Sequence, residues 1–152
     1  METNSLPEKR PSETIGYHYI VEAAGCDPQI LASPDAMREI LTQSAKAGDM
    51  TVRTSYFYRF APCGESGSGV SGLVIVAESH LSLHTWPEKG YAALDVFVCG
   101  EAAKPEAAIH YILESLGCRD AHVTEIKRGI QDEDAYTHAM VTWDETLKNR
   151  NP

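Results

Sequence analysis

The stretch that decides the fold runs from residue 78 to residue 100 and reads ESHLSLHTWPEKGYAALDVFVCG. Residues 81–84 and residues 92–98 alternate in polarity, which predicts two β-strands that each bury one face. The same stretch contains a hydroxyl, an imidazole and a thiol, on Ser79, His84 and Cys99. We expect the strands to fold back on each other and to bring these three groups together.

The segments around this stretch predict a sheet covered by helices. Ser33 is the predicted N-cap of a helix and Pro34 its first residue, and Gly48 is expected to end this helix. A second helix begins near residues 104–106 and ends at Gly117. Further strands are predicted at residues 17–24, 51–60, 70–77 and 122–126, the last being the final strand. This order predicts an α+β two-layer sandwich, an antiparallel sheet with helices on one face.

The chain is expected to form one domain with two polar ends. Residues 1–13 have two prolines and no periodicity, which predicts a mobile tail, and residues 14–130 are the predicted domain. Residues 131–152 are interpreted as a polar C-terminal tail. Within the domain, one face of strand 51–60 is expected to carry Val52, Tyr56, Tyr58 and Phe60.

Composition narrows the classes of function. A chain of 152 residues is small for an enzyme with a deep pocket, a difficulty that a site shared across a dimer interface would remove. The net charge of −9 argues against nucleic-acid or anionic-membrane partners and suits a cationic substrate. The four cysteines form no C-x-x-C pair, so we expect them to be reduced thiols. No stretch approaches the ~20 apolar residues of a membrane span, so we expect a cytoplasmic protein.

The strings ESH, HTWPE, GYAA and DVFVCG, in this order, resemble the pyruvoyl-dependent S-adenosylmethionine decarboxylases of the short bacterial and archaeal type. The resemblance covers roughly residues 16–100. Its further matches are Gly16-Tyr17-His18 leading to Glu22, Gly25-Cys26-Asp27, Arg59-Phe60 with Pro62, and Gly69-Val70-Ser71-Gly72 running into an apolar strand. The family's activity would produce the aminopropyl donor for spermidine synthesis. The resemblance also implies a homodimer in an α/β/β/α arrangement.

The resemblance implies that the cofactor is a pyruvoyl group, made when the chain cleaves itself between Glu78 and Ser79. A serine hydroxyl in a strained turn can attack the preceding carbonyl and convert the amide into an ester. By resemblance, His84 is the base that removes the α-proton of Ser79, and Ser71 orients or polarises the ester. Elimination and hydrolysis then leave the pyruvoyl ketone and ammonia. Cys99 is the implied general acid that protonates the carbanion after loss of CO2.

The remaining implied roles concern the substrate pocket. Phe60 corresponds to an aromatic ring that stacks on adenine, and Glu88 to an acid that binds the ribose hydroxyls. Glu22 is a weaker candidate for the same pocket, with a solvated acid at a strand edge as the alternative. A ketone cofactor of this kind forms a Schiff base with an α-amino acid and accepts the electrons released with CO2.

Three alternatives remain open on the sequence. His80 and His84 could be zinc ligands, but a spacing of four suits a helix, and the strand pattern argues against metal. Residues 64–68 are an insertion relative to the family, beside the expected adenine platform, so ornithine or arginine is an alternative substrate. A non-cleaving regulatory relative is the third reading, but it would be expected to lack Ser79, His84 or Cys99.

Overall fold

The computed structural model describes residues 14–62 and 67–146. The predicted N-terminal tail, Cys63, residues 64–66 of the insertion and residues 147–152 lie outside the described residues. The elements in chain order are β1 (Gly16–Ala24), α1 (Pro28–Leu31), α2 (Pro34–Ala47), β2 (Val52–Arg59), β3 (Val70–Val76), β4 (Ser79–Trp86), a 3-10 turn (Pro87–Lys89), β5 (Tyr91–Cys99), α3 (Pro105–Ser115), β6 (Asp120–Asp132) and β7 (Ala135–Thr146).

The seven strands form one antiparallel sheet in the order β2-β3-β4-β5-β1-β6-β7. Because side chains alternate along each strand, the sheet has two different faces. The inner face packs against the helices and is fully buried at Val21, Val74 and Leu83. The opposite, outer face exposes Leu73 and Ile75. The predicted α+β arrangement, with its helices on one side of the sheet, is therefore present.

The helices begin and end where the sequence predicts. The Ser33 hydroxyl accepts a hydrogen bond from the Ala36 amide at 3.1 Å, and Gly48 caps the other end of α2. The short α1 is not predicted above, although it has the same signal, since the Asp27 carboxylate accepts from the Gln29 amide just before the helix. No helix in the described part of the chain has the length and apolarity to cross a membrane.

Two expectations about the strands are wrong. Residues 122–126 are not the final strand, because β6 continues to Asp132 and pairs with β7, which crosses most of the segment interpreted as a polar tail. Val52 does not share a face with Tyr56, Tyr58 and Phe60. An irregularity in the β2–β3 register between Val52 and Thr54 turns Val52 toward the core, while the three rings stay exposed on the outer face.

Candidate active site

The turn between β3 and β4 holds the expected cleavage point. Glu78 lies in this turn, and Ser79 is the first residue of β4. Ser79 has φ of 152°, a backbone conformation that residues with a side chain rarely adopt. The Glu78 carboxylate accepts a hydrogen bond from the Thr51 amide at 3.1 Å, which anchors the turn to the start of β2. The strained turn expected at this serine is therefore observed.

The Glu78 carbonyl oxygen accepts two hydrogen bonds from one residue. The Cys99 amide donates at 2.8 Å and the Cys99 thiol donates at 3.1 Å. Two donors on a carbonyl polarise it and would stabilise the negative charge that develops on the oxygen during attack by a hydroxyl. Antiparallel pairing produces this geometry, because Ser79 lies opposite Val98 and Glu78 therefore lies beside Cys99. We call Glu78, Ser79 and Cys99 the cleavage cluster.

A second group of expected site residues surrounds a cavity at the other end of β4. The Ser71 hydroxyl and His84 Nδ1 are 2.7 Å apart, because these residues face each other on β3 and β4. The 3-10 turn after β4 carries Glu88 to the same place. The cavity has a volume of about 320 Å³ and is lined by Phe60, Ala61, Gly69, Ser71, His84, Thr85, Trp86 and Glu88. This volume lies within the range of small-molecule sites. We call this group the cavity cluster.

The structure does not bring the two clusters together. Ser79 and His84 are five residues apart on one extended strand, which separates them by roughly 16 Å. The expectation that Ser79, His84 and Cys99 converge is therefore correct for Ser79 and Cys99 and wrong for His84 within one chain. The physical reason is the pairing of β4 with β5, which places His84 opposite Ala93, far along the sheet from Cys99.

Glu22 does not line the cavity cluster. It lies on the outer face of β1, accepts a hydrogen bond from the Tyr91 hydroxyl, and lines a separate cavity with His122 and Asp144. Burial, and then the hydrogen bond to Glu22, raise the pKa of Tyr91 to about 12. Tyr91 stacks on Trp86 with the ring centres 5.2 Å apart, so these two rings connect Glu22 to the wall of the cavity cluster.

A polar network that the sequence did not reveal lies between the clusters on the outer face. His18 Nε2 is 3.0 Å from Asp95 Oδ1, and the Ser82 hydroxyl donates to Asp95 Oδ2 at 3.4 Å. The hydrogen bond with His18 contributes most to lowering the pKa of Asp95. Burial, and then the charge of His18, lower the pKa of His80. The only sign of this network in the sequence is Asp95, the charged residue at the start of the DVFVCG string.

The described part of the insertion, residues 67 and 68, lies beside the connection between α1 and α2. A Cβ on Gly67 would lie 3.1 Å from the Ala32 side chain, and Ser68 is buried. Gly69, which lines the cavity, accepts a hydrogen bond from the Phe60 amide at 2.9 Å. This bond to Gly69, directly after the insertion, fixes the position of Phe60 relative to β3.

Comparison with known proteins gives one family. The model of the S-adenosylmethionine decarboxylase family matches residues 17–129. The chain is 59% identical over 140 residues to an S-adenosylmethionine decarboxylase proenzyme of Pyrococcus furiosus, covering 91% of this chain and 97% of the relative. It is 44% identical over 116 residues to a protein of the same name from Thermodesulfovibrio yellowstonii, covering 76% and 82%. The structure resembles the adenosylmethionine decarboxylase of Aquifex aeolicus with a TM-score of 0.71, 33% identity, and coverage of 82% of this chain and 99% of that one.

Proposed function

The chain belongs to the S-adenosylmethionine decarboxylase family, and from this premise we propose that it cleaves itself between Glu78 and Ser79 and then decarboxylates S-adenosylmethionine. The observation that carries the proposal is the pair of donors from Cys99 on the Glu78 carbonyl, next to a serine in a strained conformation. The two donors polarise the Glu78 carbonyl and fix its position. The hydroxyl that would attack this carbonyl belongs to the next residue, Ser79.

The cleavage steps use groups of this chain. The Ser79 hydroxyl attacks the Glu78 carbonyl, the C–N bond breaks, and an ester replaces the amide. A base then removes the Ser79 α-proton, and the Glu78 carboxylate leaves as the new end of the first chain. The dehydroalanine that remains takes up water, loses ammonia and becomes the pyruvoyl group at the start of the second chain. Relief of the strained φ at Ser79 favours these steps.

We propose that the base is His84 of a second protomer. Within one chain His84 is roughly 16 Å from Ser79, too far for proton transfer. Its Nδ1 is 2.7 Å from the Ser71 hydroxyl, and in the tautomer in which Nδ1 carries the hydrogen, Nε2 is the nitrogen that accepts a proton. The two clusters lie at opposite ends of β4, and His84 and Cys99 are both on the outer face of the sheet. A twofold axis through the middle of this face would place each cleavage cluster against the partner's cavity cluster and form two equal sites.

The outer face has the character of such an interface. Tyr56 is 67% exposed, and Leu73 and Ile75 beside it are 39% and 42% exposed, so β2 and β3 present a continuous apolar surface. Exposed apolar patches of this kind mark association sites. Two such sheets packed face to face, each with its helices outside, form the α/β/β/α homodimer expected from the resemblance.

The cavity cluster supplies what the substrate needs. Phe60 is 50% exposed and presents a ring on which adenine can stack, and Glu88 offers a carboxylate to the ribose hydroxyls. The pyruvoyl ketone supplies a covalent attachment for the substrate amine and an acceptor for the electrons released with CO2. Cys99 stays beside the new chain end after cleavage, where its thiol can donate a proton to the carbon that loses CO2.

The experiment that tests this function is release of labelled CO2 from S-adenosylmethionine, ornithine and arginine in parallel. We expect release from S-adenosylmethionine, because only this substrate has an adenosyl group to occupy the cavity cluster. Release from ornithine or arginine, with none from S-adenosylmethionine, would contradict the assignment. That result would point to the insertion at residues 64–68 as the source of a different substrate preference.

Replacement of Phe60 tests the adenine platform. Phe60→Ala is expected to remove stacking worth about 1–3 kcal/mol, which corresponds to a KM for S-adenosylmethionine raised roughly 5- to 150-fold. Phe60→Tyr keeps the aromatic face and is the matched control, with a KM close to that of the wild type. Steady-state kinetics check the result, and mass spectrometry should show normal cleavage in both variants. Equal KM values for the two variants would mean that the ring is not a stacking platform.

A further inference from the structure

Two cysteines far apart in sequence meet in the core. The sulfur atoms of Cys26 and Cys118 are 2.7 Å apart, although 92 residues separate the two positions. The side chains are 4% and 7% exposed, so no solvent separates them. Each cysteine directly follows a glycine in the left-handed conformation, Gly25 at φ 65° and Gly117 at φ 65°. Both turns thus deliver a thiol to the same point.

Backbone hydrogen bonds on both sides hold the two segments together. The Arg119 amide donates to the Ala24 carbonyl at 3.0 Å, and the Asp27 amide donates to the Leu116 carbonyl at 3.0 Å. The two cysteines lie between these bonds, on segments that run antiparallel. Disulfides require close and fixed backbones of this kind, and a pair held in this way can be linked with little movement.

We propose that Cys26 and Cys118 form a disulfide that covalently joins the two chains of the processed protein. The inference rests on the proposed cleavage between Glu78 and Ser79, because that cut leaves Cys26 on the first chain and Cys118 on the second. The oxidant is a low-molecular-weight disulfide. One thiolate attacks it to form a mixed disulfide, and the other thiolate displaces the second small thiol. The two cysteines together lose two protons and two electrons, and two small thiols are released.

Burial slows the formation of the disulfide and protects the bond once it has formed. The hydrogen bond with Cys26, and then burial, raise the pKa of the Cys118 thiol, so the reduced pair contains little thiolate and oxidises slowly in the folded protein. Buried structural disulfides also have potentials that resist the thiol pools of cells. We expect the linkage to survive mild reductant in the native state and to break when the protein is denatured with reductant.

The test uses the complete processed protein. It is incubated with oxidised glutathione until its mass no longer changes, and is then denatured and alkylated without reductant. Mass spectrometry compares it with a sample that was reduced after denaturation. We expect one mass equal to the two joined chains in the first sample, and two separate masses in the second. Cys118→Ala should show two separate chains in both samples, whereas the control Cys63→Ser should match the wild type. Separate chains in the unreduced wild type, or joined chains in Cys118→Ala, would overturn the proposal.

A peptide map separates failure of this proposal from failure of the proposed function. A wild-type mass that stays single after reduction would mean that the chain is not cut, which contradicts the function. The Ser79→Ala variant, expected to stay uncut, should still yield one cross-linked peptide pair containing Cys26 and Cys118 when digested without reductant and sequenced. Recovery of both cysteines on separate alkylated peptides would overturn the disulfide in cut and uncut protein alike.

Discussion

Mixing the Ser79→Ala and His84→Ala variants is expected to restore a cleavage that neither variant carries out alone. Ser79→Ala lacks the nucleophile, and His84→Ala lacks the base that resolves the ester. In a mixed dimer, the intact Ser79 of one protomer would face the intact His84 of its partner. With random pairing, roughly half of the His84→Ala chains have such a partner and should be cut. Mass spectrometry after the variants are denatured and refolded together measures this fraction.

The matched control co-expresses the wild type with the double variant Ser79→Ala/His84→Ala, so that the chains pair before the wild type is cut. If the base comes from the partner, wild-type chains paired with the double variant should stay uncut, although their own His84 is present. Complete cutting of the wild-type chains in this mixture, with none in the first mixture, would show that His84 acts within its own chain.

In His84→Ala alone, hydroxylamine should cleave the accumulated ester, because esters react with it and amides do not.

Cys99→Ala is expected to separate the two stages of the chemistry. Decarboxylation should fall by about 10²- to 10⁴-fold, the usual contribution of a positioned general acid. Cleavage should slow but still reach completion, because the backbone amide of residue 99 continues to donate to the Glu78 carbonyl after the thiol is removed. A time course of chain separation, together with CO2 release from the fully cut protein, measures both effects.

The informative comparison for this variant is His84→Ala. The two variants should differ, since His84→Ala stops before the chains separate and Cys99→Ala stops mainly afterwards. Equal loss of cleavage in both would mean that the Cys99 thiol is required for the cut itself. Cys99→Ser is the conservative control, because its hydroxyl keeps a donor near the carbonyl while holding its proton more tightly. It should be cut faster than Cys99→Ala but should decarboxylate poorly.

Local signals in the sequence predict the elements with caps or regular alternation. The N-cap at Ser33 and the terminating Gly48 define α2, and the alternation around Leu81 and Leu83 defines β4. The strand β7 was missed because it lies at the sheet edge, where the residues described from Ala135 to Val141 are exposed, so no buried period marks it. The orientation of Val52 was missed because a local irregularity in pairing has no signature in composition.

The sequence allows a prediction of which residues belong to the candidate site, but not of the distances between them. The strings around Ser79 and Glu88 predict which residues form the site, and both this set and the role of each residue stay predictions. Distances depend on register between strands, which pairs Ser71 with His84 and Ser79 with Val98. Register is a non-local property, and it divides the expected site between the two ends of β4. The network around Asp95 was missed for the same reason, since its partner His18 is 77 residues away in sequence.

The strand order has a consequence for how the protein can be assembled. A cut after Glu78 leaves β1, β2 and β3 on one chain and β4 to β7 on the other, yet β1 lies between β5 and β6. The two products are therefore interleaved, with one strand of the first held on both sides by the second. The proenzyme inserts β1 as part of a single molecule, whereas denatured and separated products would have to find each other by diffusion. Under the proposed cleavage, folding has to come before cutting, and the turn between β3 and β4 would be a temporary covalent link that is lost once β1 is in place.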